Sequence, residues 1–166
     1  MKLEYITAGR IVGAHGVRGE VKLLPSRGVA PEALLPCKTF YLAGQPLAPA
    51  ARRVHKGCLL LKLPGVEDMD AALALKGREL SIRRAEAALP PGTYFDQELL
   101  GLAVRDAATG ETLGRLEEVL EYPAHKIYAV RGGAAEYLVP AVDAFVASVD
   151  LEAGTMDIHV WEGLAQ

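Results

Sequence analysis

Residues 85–92 read AEAALPPG, and the chain divides there. Pro90 and Pro91 lack backbone N–H groups and hold φ fixed. With Gly92 after them, neither a helix nor a central strand can run through. The charge changes sign across this stretch. Residues 1–85 carry fourteen Lys and Arg against seven Asp and Glu, a net of +7. Residues 86–166 carry four against fourteen, a net of −10, so the total of −3 hides a dipolar chain. A reversal at a proline joint predicts two modules with differently charged partners, a polyanion such as RNA for the first and something basic for the second. Composition drift in an ordinary globular protein gives the same count.

With 166 residues, the chain has room for two domains, expected at 1–85 and 93–166 with 86–92 as the linker. Its 51 % hydrophobic and 23 % charged residues exclude a disordered chain. Cys37 and Cys58 stand apart, with no CxxC pair, so no zinc site and no disulfide framework is expected. Met1-Lys2-Leu3-Glu4 has no apolar signal core. No run approaches the roughly 18 apolar residues of a membrane span, so the expectation is a cytoplasmic protein away from membranes.

Short strands between Gly and Pro breaks dominate the first half: 5–13, 19–24, 38–42, 50–54, 58–63 and 79–83. Cys58–Leu63 (CLLLKL) is apolar on both faces, as a strand covered from two sides would be. One helix is expected over 67–76, with Pro64-Gly65 before it, Glu67, Asp68 and Asp70 in its first turns, and Gly77 at its end. In the second half, strands are expected at 99–105, 111–121, 126–131, 136–139, 144–149 and 155–161. So many short strands in so little chain favour closure, which removes exposed edges. The fold class is therefore mainly β: two small tandem β-barrels, with one short helix in the first.

Catalytic motifs are missing. Gly13, Gly16 and Gly19 meet neither the P-loop nor the dinucleotide pattern and suit a turn between strands. His15, His55, His125 and His159 show no metal-binding spacing, and Ser26, Ser81 and Ser148 lie outside any GxSxG elbow. Glu117, Glu118 and Glu121 read as a solvated strand face. No catalytic residue, cofactor or metal ligand is assigned.

Two segments carry information beyond this. Gly9–Leu23 (GRIVGAHGVRGEVKL) packs a strand, a glycine-pivoted turn and a second strand into fifteen residues, and places Arg10, His15, Arg18 and Lys22 where phosphate contact is possible. Gly92–Val104 (GTYFDQELLGLAV) sets adjacent aromatics just after the joint, suited either to a partner or to sealing the domains together.

At these segments the chain resembles the family of ribosome maturation factor RimM. The likeness runs through Gly9–Lys22, Val66–Arg83, Tyr94–Gly101, Gly110 with Leu113-Gly114, Leu138-Val139-Pro140 and Val149-Asp150-Leu151. It implies a translation-factor-like N-terminal barrel and a PRC-type C-terminal barrel. It also implies a monomeric, non-catalytic factor that binds the nineteenth small-subunit ribosomal protein, helps mature the head of the immature small subunit and supports processing of its RNA. Tyr94, Phe95, Leu99, Leu100 and Gly101 are the expected ribosomal-protein site, and Arg10, His15, Arg18 and Lys22 the RNA- or ribosome-facing residues. The chain departs from the family twice. Phe95 followed by Asp96-Gln97-Glu98 replaces a second tyrosine and Trp-His-Asp, and His125-Lys126 replaces Asn-Asp. Two other readings fit small barrels, a translation factor acting on mature ribosomes and a flavin-reductase-like enzyme, the latter marked by a bound yellow chromophore.

Overall fold

A computed structural model describes residues 3–164. The chain forms two compact units that divide between Phe95 and Asp96. The first holds β1 (Tyr5–His15), β2 (Glu20–Pro25), β3 (Phe40–Leu42), β4 (Gln45–Leu47), β5 (Ala51–His55), β6 (Cys58–Lys62) and β7 (Glu79–Arg83), in the order β4-β3-β7-β1-β2-β6-β5. β1 organises this sheet: its first half pairs with β7 and its second half with β2. Register shifts between Thr7 and Gly9 and between Ile11 and Gly13 insert extra residues into those ladders. Such bulges bend a strand and raise its twist, so the sheet curls into a half-barrel. Ile6, Ile11, Val21, Leu23, Leu59, Leu61, Leu80 and Ile82 line its interior, all at most 2 % exposed.

The helix is shorter than expected. α1 spans Met69–Leu73, because Asp68 stays extended and its carboxylate accepts the Ala71 N–H at 2.8 Å. That cap places Glu67 outside the helix. β4 was missed because its central residue, Pro46, cannot donate to a ladder, which confines such a strand to the sheet edge it occupies here.

The second unit holds α2 (Asp96–Leu99), β8 (Ala103–Asp106), β9 (Thr112–Glu121), β10 (Lys126–Gly132), β11 (Ala135–Pro140), β12 (Val146–Asp150) and β13 (Thr155–Ile158). Its strand order is β11-β10-β9-β8-β13-β12, with β8 and β13 parallel. Leu102, Val104, Leu116, Val130, Val139, Met156 and Ile158 are fully buried there. The strand expected from Leu99 begins only at Ala103. Asp96-Gln97-Glu98-Leu99 makes a helical turn instead, and Gly101, at φ +89°, redirects the chain into β8.

The expected linker belongs to the first unit. Ala88 N–H donates to Ala33 O at 2.9 Å, and Ala87 and Leu89 pack on the first core. Apolar residues on the N-terminal side of Pro90-Pro91 gain more from that core than from solvent, so the division falls after the proline pair rather than on it.

The two cysteines differ in reach. Cys37 is fully buried in the first core, and desolvation, reinforced by Glu86, pushes its thiol up to about 12. Cys58 is only half-buried. A thiol reagent at neutral pH is expected to label Cys58 in the native protein and Cys37 only on unfolding, since the thiolate is the reactive form. Equal labelling of both in mass spectra of the native protein would contradict this packing.

Candidate nucleic-acid interface

The glycine turn is positioned by α1. Gly16 and Gly19 have φ of +73° and +87°. A Cβ at Gly19 would lie 2.8 Å from Asp68 N, Asp68 O and Val66 O, so only glycine lets the turn lie on the helix cap. Gly13, in contrast, sits within β1 at a bulge and keeps an ordinary φ. The turn so held presents Val17, 78 % exposed, and exposed Arg18 at its tip.

Beside the turn, the strands set a second surface. Val21 and Leu23 enter the core, so Glu20 and Lys22 point to the outer face. By the same alternation Leu60 points outward between the core residues Leu59 and Leu61, and it stands in register with Lys22 on one side and Arg53 on the other. Leu60 is nevertheless 0 % exposed. Side chains cross over that face: Arg53 reaches Glu20 at 3.1 Å, and the His15 and His55 rings meet at 4.9 Å between centroids, tilted by 57°. The twist of β1, β2, β6 and β5 brings these corners of the sheet together.

Two of the four residues expected to face RNA therefore share this surface, His15 and Lys22, with Arg18 at the adjoining turn. Arg10 stands apart: it pairs with Leu24 and Glu79 further along β1 and borders an open groove of about 560 Å³ lined also by Ser26, Arg27 and Gly57. Arg53, His55 and Lys56 were missed, although Arg52-Arg53-Val54-His55-Lys56 is a visible basic run before Gly57. Loss of solvent contact, followed by the charges of His15, Lys56, Arg53 and Lys22, lowers the His55 pKa below the ordinary imidazole value.

The residues expected to bind a ribosomal protein are split between the two units. Tyr94 and Phe95 close the first; Leu99, Leu100 and Gly101 belong to the second. Phe95 is 0 % exposed, a member of the first core, with the Arg84 guanidinium 5.3 Å from its ring centroid. Leu99 is 1 % exposed. Phe95 and Leu99 thus pack inside their units. Leu100, at 40 % exposure, is the large apolar side chain of the five that faces outward, and Tyr94 is half-buried.

The two departures noted in the sequence meet in space: Lys126 Nζ donates to Asp96 Oδ1 at 2.7 Å, tying α2 to β10. Nearby, Arg131 stands among three carboxylates, with Glu136 at 2.8 Å, Glu117 at 3.5 Å and Glu118 at 3.8 Å. A bulge opposite Ala129 and Val130 turns consecutive Glu117 and Glu118 both outward while Leu116 and Val119 are buried. Arg115, the register partner of Arg131 on β9, is a second guanidinium here, and the three carboxylates outnumber the two.

Residues 6–87 match the family model of the RimM N-terminal domain, and residues 96–164 match that of the RimM PRC barrel domain. The chain belongs to the RimM family of ribosome maturation factors. The ribosome maturation factor RimM of Geobacter metallireducens is 34 % identical over 97 % of this chain and 95 % of its own length. That of Syntrophotalea carbinolica is 36 % identical over 98 % and 95 %. A solved RimM structure from Pseudomonas aeruginosa is 29 % identical, covers 95 % of this chain and 98 % of its own, and superposes with a TM-score of 0.39. The family places the chain in ribosome maturation. Among the described residues, no three His, Cys, Asp or Glu side chains are grouped to hold a metal, and no helix is long and apolar enough to cross a membrane.

Proposed function

We propose that this chain is a non-catalytic assembly factor of the small ribosomal subunit. Its basic N-terminal unit lies against ribosomal RNA, and its acidic C-terminal unit receives the nineteenth small-subunit ribosomal protein. In this way it promotes maturation of the subunit head and supports processing of the subunit's RNA. The observation that carries the reading is the change of charge from +7 to −10 between the two halves of a RimM-family chain. Ribosomal proteins and ribosomal RNA carry opposite charge, and complementary fields speed association and suppress the wrong partner. Within the first unit, Arg18 at the turn and Lys22 beside it suit phosphate contact; within the second, the Glu117–Glu118–Glu136 face suits a basic protein.

Co-sedimentation tests this reading against that of a factor acting on completed ribosomes. The protein is expected to travel with immature small subunits and to be left behind by mature ones. Equal recovery with both would overturn the assembly role.

A further inference from the structure

Over the outer face of β1, β2, β6 and β5, two histidines come together on a ground of positive charge. His15 is contributed by β1 and His55 by β5, with rings 4.9 Å apart. Lys22 of β2, Arg53 of β5 and Lys56 of the β5–β6 turn all act on His55, and each opposes its protonation. Glu20 is the carboxylate facing this group, and it is already engaged by Arg53 at 3.1 Å. β6 contributes uncharged Leu60 beneath them and half-buried Cys58, the register partner of His55. The free protein thus holds two imidazoles among cations, with the Glu20 carboxylate engaged by Arg53.

We propose that this surface is a pH-dependent binding site for the phosphodiester backbone of RNA, lined by His15 and His55, with Arg53, Lys56 and Lys22 as its fixed charges. The inference rests on the RNA-facing reading of the first unit and adds to it three residues and a dependence on pH. A phosphate set beside the His55 ring reverses the local balance, because it favours the imidazolium that the surrounding cations oppose. Binding then draws a proton onto His55. Affinity rises as pH falls from the His55 pKa of the bound state to that of the free state, and it levels off below.

The same linkage acts on folding with a defined sign. A folded-state His pKa below its unfolded value means that the unfolded chain binds the proton more readily. The stability contribution is present above the ordinary histidine range, about pH 6.5, and is lost as pH falls through the lowered folded value. RNA at the site offsets that loss.

The test is a pH series from 5.5 to 8 at constant salt, with the full chain and a short structured ribosomal RNA fragment, comparing wild type with His55→Gln. Wild-type affinity is expected to rise by up to about tenfold per pH unit within the titration window, as uptake of one proton requires. His55→Gln is expected to flatten that rise. In NMR titrations of the full chain, the His55 ring resonance is expected to move its midpoint to higher pH when RNA is added. RNA binding without pH dependence, or pH dependence intact in His55→Gln, overturns the pH-dependent site and leaves the RNA-facing unit standing. No RNA binding at any pH removes both.

Discussion

Phe95→Ala is expected to destabilise the first unit by about 3–5 kcal/mol, the usual cost of deleting a fully buried aromatic. Phe95 is 0 % exposed and packs in the core that contains Ile6, Leu23, Leu34 and Phe40. Its loss leaves a cavity that the curled sheet can only partly refill, and it removes the ring beside the Arg84 guanidinium. Denaturant unfolding followed by a probe in the first unit measures the effect. Tyr94→Ala, at the neighbouring half-buried position, is expected to cost less in stability. If the Tyr94 ring anchors the ribosomal protein, its removal weakens binding by about 2 kcal/mol or more. A Phe95→Ala protein as stable as wild type would show that the ring is not part of that core.

Removal of the positive charges of the first unit expected to face RNA should flatten the salt dependence of RNA binding. Each phosphate contact contributes roughly 0.7–0.9 to the slope of log affinity against log salt. Arg18→Ala is therefore expected to lower the slope by about one unit, and Arg10→Ala, Arg18→Ala and Lys22→Ala together by about two to three. Over a tenfold change in salt, the triple variant would then vary about 100- to 1,000-fold less in affinity than wild type. Arg18 stands exposed on a turn fixed by Gly19 against Asp68, so its replacement leaves that packing in place. An unchanged slope in the triple variant would remove these residues from the RNA face.

Most of the strand pattern was legible because alternation and glycine breaks are local signals. Glu79–Arg83 occupies the residues expected of it, and β1, β2, β5 and β6 differ from expectation by a few terminal residues. Three features depended on information outside the local pattern. β4 contains a proline that only an edge position tolerates, and 86–89 sides with the first core through the Ala88 to Ala33 hydrogen bond. Asp96–Leu99, of which Leu99 was expected to open a strand, winds into a helical turn that Lys126 secures from thirty residues away.

The candidate site was legible in part for the same reason. Arg18 and Lys22 adjoin a turn whose glycines announce it. His55 and Arg53 lie more than thirty residues from His15, and only the twist of four strands brings them together. Phe95 illustrates the limit of a local reading: an aromatic beside a proline joint suits either a contact surface or a core, and its burial in the first core depends on residues distant in sequence.

The division of partners by charge is the central claim, and crossed titration of the full-length protein tests it most directly. One variant carries Arg10→Ala, Arg18→Ala and Lys22→Ala; the other carries Glu117→Gln, Glu118→Gln and Glu136→Gln. Each is titrated separately with small-subunit RNA and with the nineteenth small-subunit ribosomal protein at low and moderate salt. The basic-face variant is expected to lose RNA affinity and keep the protein, and the acidic-face variant to keep RNA and bind the protein more slowly and weakly. The reverse pattern, with the acidic face needed for RNA and the basic face for the ribosomal protein, would contradict it.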